Sequence, residues 1–472
     1  MRRRSAILVA VAGLLLATPS QAAVTHQIPG TVVADCSIDV SQPIRSWIAS
    51  IPDNSTLSFG SGACYRIDGT LGLRNRSGLD LNGNGATFLA GTVGGPWRAH
   101  WRLTGGTGLK LRNMTIRGGH PAGGTHVYDK QWQHAIDLLG VTDVEVANVA
   151  ASDVYGDCFT VSRNESDGAW SSGVHIRDSS CSRNGRQGVA VVAGHDIVLE
   201  RNTLSEIALN AFDIEPDGVG FGARNVVVRD NTASGALNRS FFAAIGSGPV
   251  DSVTVSGNRL NGAGMYMAVV APPGQRRSNI TITRNSSDTG YHAANSAAQH
   301  FVRVDGLTVA HNTIPLTGPS MALASVSESC NVNIWGNGFP GGVVEARISP
   351  YPCTSTSSST TDALRGRTST TLRVRRVRRV RAGSGRTSHA RRAAGRVRGA
   401  QSGRVVIRLE RFDRPRRSWV KVRSRKVRVR RDSRFAIRLR GLERGRWRAR
   451  ARFRATRNRA PSESPYRYFL VG

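Results

Sequence analysis

A short pattern recurs down the middle of the chain: an apolar residue, any residue, an apolar residue, two more residues, then Asn. It occurs as "IVLERN" ending at Asn202, "VVVRDN" at Asn231 and "VTVSGN" at Asn258. It continues as "ITITRN" at Asn285, "LTVAHN" at Asn312 and "VNIWGN" at Asn337. Looser copies begin at Leu79, Leu109, Val144 and Val174. Apolar residues that alternate by two argue for strands, and the Gly and Asn that interrupt every copy argue against helices. Short strands returning every 20–30 residues stack into a coil of parallel strands. The count predicts about ten turns, with Val, Ile and Leu inside. Each Asn then sits at the bend after a strand, where stacked side chains can hydrogen-bond from turn to turn and satisfy the bend's backbone.

Stacking the copies aligns residues far apart in the chain. Counting from each copy's first apolar residue, Phe159, Val189, Phe212 and Phe241 share an inward column. Asp157, Gln187, Asn210, Arg239 and Tyr266 share another, joined by His134 across an insertion. Asp137, Thr160, Ala190 and Asp213 form a third, and Ser162, Val192 and Glu215 a fourth. These columns predict one surface patch holding His134, Asp137, Asp157, Arg186, Asp213, Glu215, Arg239 and Tyr266.

The stretch "NAFDIEPDG" at 210–218 gives the patch its chemistry. Asp213, Glu215 and Asp217 alternate, so a strand would send all three to one face, about 6.6 Å apart. Crowded carboxylates repel, which raises one pKa, and a general acid needs that. Asp213 and Glu215, with Asp157 and His134, are the catalytic candidates. Arg186 and Arg239 could grip a uronate carboxylate through paired hydrogen bonds. Asp137, Gln187 and Tyr266 complete the binding set. The inserted loop "GGHPAGGTHVYDKQWQ" at 118–133 offers His126, Tyr128 and Trp132 as a wall for the apolar faces of sugars. Alternatively Asp213, Glu215 and Asp217 could hold Ca²⁺ through oxygen ligands; otherwise no cofactor is implied. The structural readings are that Asp217-Gly218 is a turn signal, that Asp157 caps a bend, and that His134 is a satisfied bend residue.

The repeats, with the entry segment "RIDGTLGLRNRSGLDLNGNGATF" at 66–88, resemble the right-handed parallel β-helix proteins of the pectate-lyase-like superfamily. The resemblance covers roughly residues 35–342 and implies an all-β fold. It also implies a glycan partner, because members include polysaccharide lyases, polygalacturonase-type hydrolases, epimerases and phage tailspikes. It does not carry catalytic residues across: the polygalacturonase motifs "NTD", "GHG" and "RIK" are absent, and so are clear pectate-lyase signatures. Cleavage of a uronate-containing polysaccharide, by hydrolysis or β-elimination, is the expected function. A non-catalytic β-helix that binds glycans or adheres to surfaces is the rival.

The ends of the chain supply context. Three arginines, an apolar run from Ala6 to Ala17 and small residues up to Ala23 have the layout of a secretory signal peptide over 1–23. That run is too short to anchor in a bilayer, and no later segment is long enough to span one. The six cysteines, Cys36, Cys64, Cys158, Cys181, Cys330 and Cys353, suit an exported protein with disulfides. Pairing of neighbours is the simplest choice, since each gap is about one repeat long. The coil is expected over 24–349, a Ser/Thr-rich linker over 350–370 and an Arg-rich β-sandwich over 371–472. From Thr361 onward, 38 Arg and Lys face 6 Asp and Glu, so nearly all of the net charge of +33 lies there. Strand-like alternation in "RVVIRLERF", "RFAIRLR" and "RWRARARFRA" favours a sandwich over a disordered arm. It resembles the Arg-rich immunoglobulin-like modules of secreted actinobacterial proteins. Such a surface would hold an anionic cell wall or glycan. Nucleic acid is disfavoured, because no nucleic-acid motif occurs. The expected location is extracellular or on the cell wall.

Overall fold

The computed structural model describes residues 24–235, 240–261, 266–288, 297–315, 322–338, 344–349 and 351, with the strands of the C-terminal part between 369 and 471. The signal-peptide segment, Arg239, Cys353 and nearly all of the linker lie outside the described residues.

From Val24 to Ile348 the chain winds as a right-handed coil of parallel strands. One sheet stacks eleven strands, from Leu71–Arg74 through Phe212–Ile214 to Val344–Ile348, which makes about eleven turns rather than ten. The apolar residues of every copy are inside: Ile197, Val226, Val253, Ile280 and Leu307 stack in register and are fully buried. At the N-terminal end the helix Ser41–Ser50 turns Ile44, Trp47 and Ile48 inward at helical spacing. Trp47 packs edge-on against Phe59 at 5.2 Å, which joins the helix to the coil's core.

The Asn ladder forms as its spacing requires. Asn202, Asn231, Asn258, Asn285, Asn312 and Asn337 hand hydrogen bonds from side chain to side chain at 2.8–3.1 Å. From Asn231 on, each Oδ1 also accepts the backbone N–H of the Asn before it, that of Asn202 accepts the Ser179 N–H, and each Nδ2 donates to a carbonyl of the previous strand. Glu345 closes the last rung by accepting from Asn337. The residue before every ladder Asn has a left-handed backbone, from φ 52° at Arg201 to 66° at Gly257. Only two of the six are Gly. The others accept about 1 kcal/mol of strain each because the ladder fixes the bend. Asn258→Ala strands several buried groups and is expected to cost about 3 kcal/mol or more. An unchanged urea midpoint in that variant would show that the ladder does not secure the bends.

Two disulfides match the expected pairs, Cys36–Cys64 and Cys158–Cys181. Cys330 is also disulfide-bonded. No helix among the described residues is long and apolar enough to cross a membrane.

The basic C-terminal part folds into antiparallel sheets. Arg404–Asp413 lies between Ser418–Arg428 and Gly445–Phe453, and Arg391–Arg398 pairs with Arg434–Leu439. Ala393, Val397, Phe435 and Leu439 of one sheet pack with Val405, Ile407, Leu409, Trp447, Ala449, Ala451 and Phe453 of the other. Alternation drives this: the apolar residues turn in, while Arg404, Arg408, Arg423 and Arg425 stay exposed.

A cleft built from successive turns

The strands Ile136–Leu139, Phe159–Ser162, Val189–Val191 and Phe212–Ile214 carry the predicted patch. Their register places Asp137, Thr160, Ala190 and Asp213 in one column, as the repeat alignment expects. The alignment fails one turn later. Phe212 pairs with Phe242, not Phe241, because that turn carries one more residue before its strand. A slip of one residue changes which side chains face the column. Ser240 therefore occupies the place expected for Arg239, and its Oγ donates to Asn210. The next turn slips the other way, since Phe242 pairs with Met267 and not with Ala268, which takes Tyr266 out of the column. Tyr266 is half-buried and does not line the cleft described below.

The column just before these strands is a second polar ladder. His134 Nδ1 accepts the N–H of Asp157 at 2.8 Å, Asp157 Oδ1 that of Gln187 at 3.0 Å, and Gln187 Oε1 that of Asn210 at 2.7 Å. Each side chain thus satisfies the next turn's backbone. The expected base at His134 thus has its Nδ1 lone pair already taken by the Asp157 N–H. Gln187 is likewise a scaffold residue, donating to Asp213 Oδ2 at 2.6 Å.

Arg186 ties the acids together. Its Nη1 donates to both oxygens of Asp157, at 2.8 and 2.9 Å, and its Nη2 reaches Glu215 at 2.7 Å. The guanidinium is buried and fully engaged, so the expected role in gripping a uronate does not fit it. Burial works to lower its pKa, but Asp157 and Glu215 more than offset that and raise it. Asp213 accepts from Gln187 and Asn210 on Oδ2, while its buried Oδ1 has no partner. Burial is the main cause that pushes the Asp213 carboxyl up, with Asn210 and Arg186 opposing. Burial likewise pushes Glu215 up, Arg186 opposes it, and Asp213 and Asp157 add repulsion. A raised arginine argues for an ionised partner, whereas a raised Glu215 argues for a proton on that partner. The geometry reconciles them. Arg186 meets both oxygens of Asp157, while burial raises Asp213 and Glu215 above the ordinary carboxylate range.

The calcium expectation does not survive this arrangement. No group of three or more His, Cys, Asp or Glu converges as a metal requires among the described residues. Glu215 faces a guanidinium, Asp213 is turned toward two amides, and Asp217 is exposed beyond Pro216.

These residues form the floor of a cleft of about 710 Å³. Trp132, His134, Asp137, Asp157, Arg186, Glu215 and Asp217 line it, and Asp213 lies behind. The insertion supplies only Trp132 as wall, since Tyr128 and His126 do not line the cleft. Trp132 stacks on Trp97, with centroids 5.4 Å apart and planes 14° from parallel, and Arg186 lies 5.2 Å from the Trp132 ring. Trp97 remains 63% exposed, so its ring is open to a ligand. Arg102 bonds Asp137 Oδ2 at 2.8 Å, leaving the buried Asp137 Oδ1 without a partner. The repeat search missed Trp97, Arg74, Arg102 and Phe221. Arg102 was findable: "WRLTG" at 101–105 aligns with "IDLLG" at 136–140, which puts Arg102 in the column of Asp137, as the register shows. Trp97 stands on a connecting loop with no periodic signal.

Residues 102–287 match the family described as the right handed beta helix region. Among solved structures the chain is similar to an endo-xylogalacturonan hydrolase from Aspergillus tubingensis, at 11% identity and TM-score 0.50, covering 70% of this chain and 96% of that one. It is also similar to a polygalacturonase from Erwinia carotovora ssp. carotovora, at 12% identity and TM-score 0.46, covering 70% and 98%. A tailspike protein of E. coli bacteriophage HK620 in complex with pentasaccharide matches at 9% identity and TM-score 0.46, covering 91% and 92%. No curated protein matches in sequence. At these identities the likeness is one of fold. With its turns, its register and a matching segment that holds every cleft residue named above except Arg74 and Trp97, the chain is a right-handed parallel β-helix protein.

Proposed function

We propose that the cleft binds a glycan and hydrolyses it, with Glu215 as the proton donor. The observation that carries this is two carboxyl groups, Asp157 and Glu215, sharing the Arg186 guanidinium at the floor of an aromatic-walled cleft, with Asp213 behind them. Asp157 takes both hydrogen bonds of Arg186 Nη1, and burial raises Asp213 and Glu215, so that pair keeps a proton at pH values where an ordinary carboxyl has lost it. Hydrolysis also needs a carboxylate to take a proton from water. Asp137 lines the same cleft. It stands three turns from Asp213 in the column, so with Glu215 leaning back one turn to Arg186 the two carboxyl groups are two turns apart, about 10 Å at the rung spacing. That lies at the outer edge of the separation used by inverting glycosidases. β-Elimination fits less well, because Arg186 and His134 Nδ1, its expected bases, are already bonded.

Support from the comparisons is of the same kind: a structure of similar fold is named an endo-xylogalacturonan hydrolase. The test is a depolymerisation screen of the purified chain, reading reducing ends and absorbance near 235 nm. Reducing ends alone agree with hydrolysis. Unsaturated products would overturn it in favour of β-elimination, and Trp97-dependent binding without any cleavage would leave a non-catalytic glycan-binding β-helix.

The same reading places the protein outside the cell, in keeping with its disulfides, and gives the C-terminal sheets an anionic wall polymer or glycan as partner. Their exposed arginines beside a separate apolar core support this. Binding to teichoic acid should weaken steeply between about 50 and 200 mM salt. A salt-independent affinity would count against a charge-held partner.

A further inference from the structure

The cleft's charges say which sugars it can take. Resting on the reading of the cleft as a glycan site, we propose that the sugar bound there is uncharged rather than a uronate. Five carboxyl groups line the cleft, from Asp137, Asp157, Glu165, Glu215 and Asp217, against three arginines, Arg74, Arg102 and Arg186. With a proton on Glu215 the lining acids outnumber the lining arginines by one, and Arg163 beside Glu165 at the rim evens the count.

The arginines that could offset a uronate are also occupied. Arg186 is shared between Asp157 and Glu215. Arg102 is held by Asp137 and by the Trp97 carbonyl at 2.7 Å. At the rim, Arg163 bonds both oxygens of Glu165 and the Val219 carbonyl, with its guanidinium flat against Phe221 at 3.6 Å. Uronate recognition calls for a guanidinium with two free, parallel N–H groups. Among the described residues of the cleft and its rim, only Arg74, exposed at the edge, stands outside these pairs. A uronate carboxylate would therefore enter a cleft whose charges are already paired, where a charge taken from water without a partner is costly. An uncharged sugar meets no such barrier. The open face of Trp97 suits the C–H face of a hexose.

The experiment compares polygalacturonate, polymannuronate and polyglucuronate with the same polymers after chemical reduction of their carboxyl groups to hydroxymethyl groups. Each pair keeps its linkage and length and differs only in charge. Binding is measured on the full chain and on Trp97→Ala. Because the basic C-terminal part attracts polyanions, only binding lost in that variant is assigned to the cleft. The expected result is Trp97-dependent binding of at least one reduced polymer, roughly tenfold or more tighter than of its parent. The double variant Glu165→Gln with Asp217→Asn, which removes rim carboxylates and frees Arg163, should narrow that gap. Tighter Trp97-dependent binding of a polyuronate than of its reduced form overturns the inference and leaves the glycan reading intact. Absence of Trp97-dependent binding by every polymer of either kind sinks the glycan reading, and the inference with it.

Discussion

Glu215→Gln is expected to lower glycan hydrolysis by about 10²–10⁴-fold, the usual contribution of a general acid, while binding changes little. Glutamine copies the shape of the protonated acid and can still accept from Arg186, but it has no proton to give. The pH profile supplies the sharper readout. Burial raises the carboxyl of Glu215, so the acid form that the reaction needs is present at low pH and is lost as pH rises through that raised value. The wild-type rate should fall on the alkaline side, and the residual rate of the variant should not follow that limb. Stability has the same sign. The folded chain keeps a proton that the unfolded chain releases near 4.5, the ordinary glutamate value. The stabilisation from that proton is complete below 4.5 and declines as pH rises through the folded-state value. Glu215→Gln should flatten this decline. Full activity in the variant would remove Glu215 from the chemistry.

Arg186→Met should be the most destabilising single change in the cleft, at about 3–5 kcal/mol, because it leaves Asp157 and Glu215 buried without their common partner. Methionine keeps the side-chain volume, so the loss reports charge rather than packing. The loss should be smaller when Glu215→Gln is already present, since one of the stranded carboxylates is then gone. Urea unfolding of the four proteins in this cycle measures the coupling. Equal losses in both backgrounds would mean that Arg186 and Glu215 act independently, contrary to the shared ion pair. Lysine should not rescue the site, because one ammonium cannot reproduce the two-sided fork that spans both acids.

The repeat itself determined the coil. Alternating apolar residues with Asn at a fixed offset leave little choice but stacked parallel strands, and the ladder from Asn202 to Asn337 follows from that spacing alone. Column alignment also brought Asp137, Asp157, Arg186, Asp213 and Glu215 to one place, because strands in register convert sequence offset into position. The neighbour pairing of Cys36–Cys64 and Cys158–Cys181 was legible for the same reason. Tertiary structure decided what offsets cannot carry. One extra residue before Phe242 moved Ser240 into the place expected for Arg239, and no repeat count detects a slip inside a turn. Trp97 reaches Trp132 from a loop whose path is set by packing, not by period. Above all, the offsets show which acids and arginines are close but not which of them pair. Only the three-dimensional arrangement puts one guanidinium between Asp157 and Glu215 and turns Asp213 behind them toward two amides.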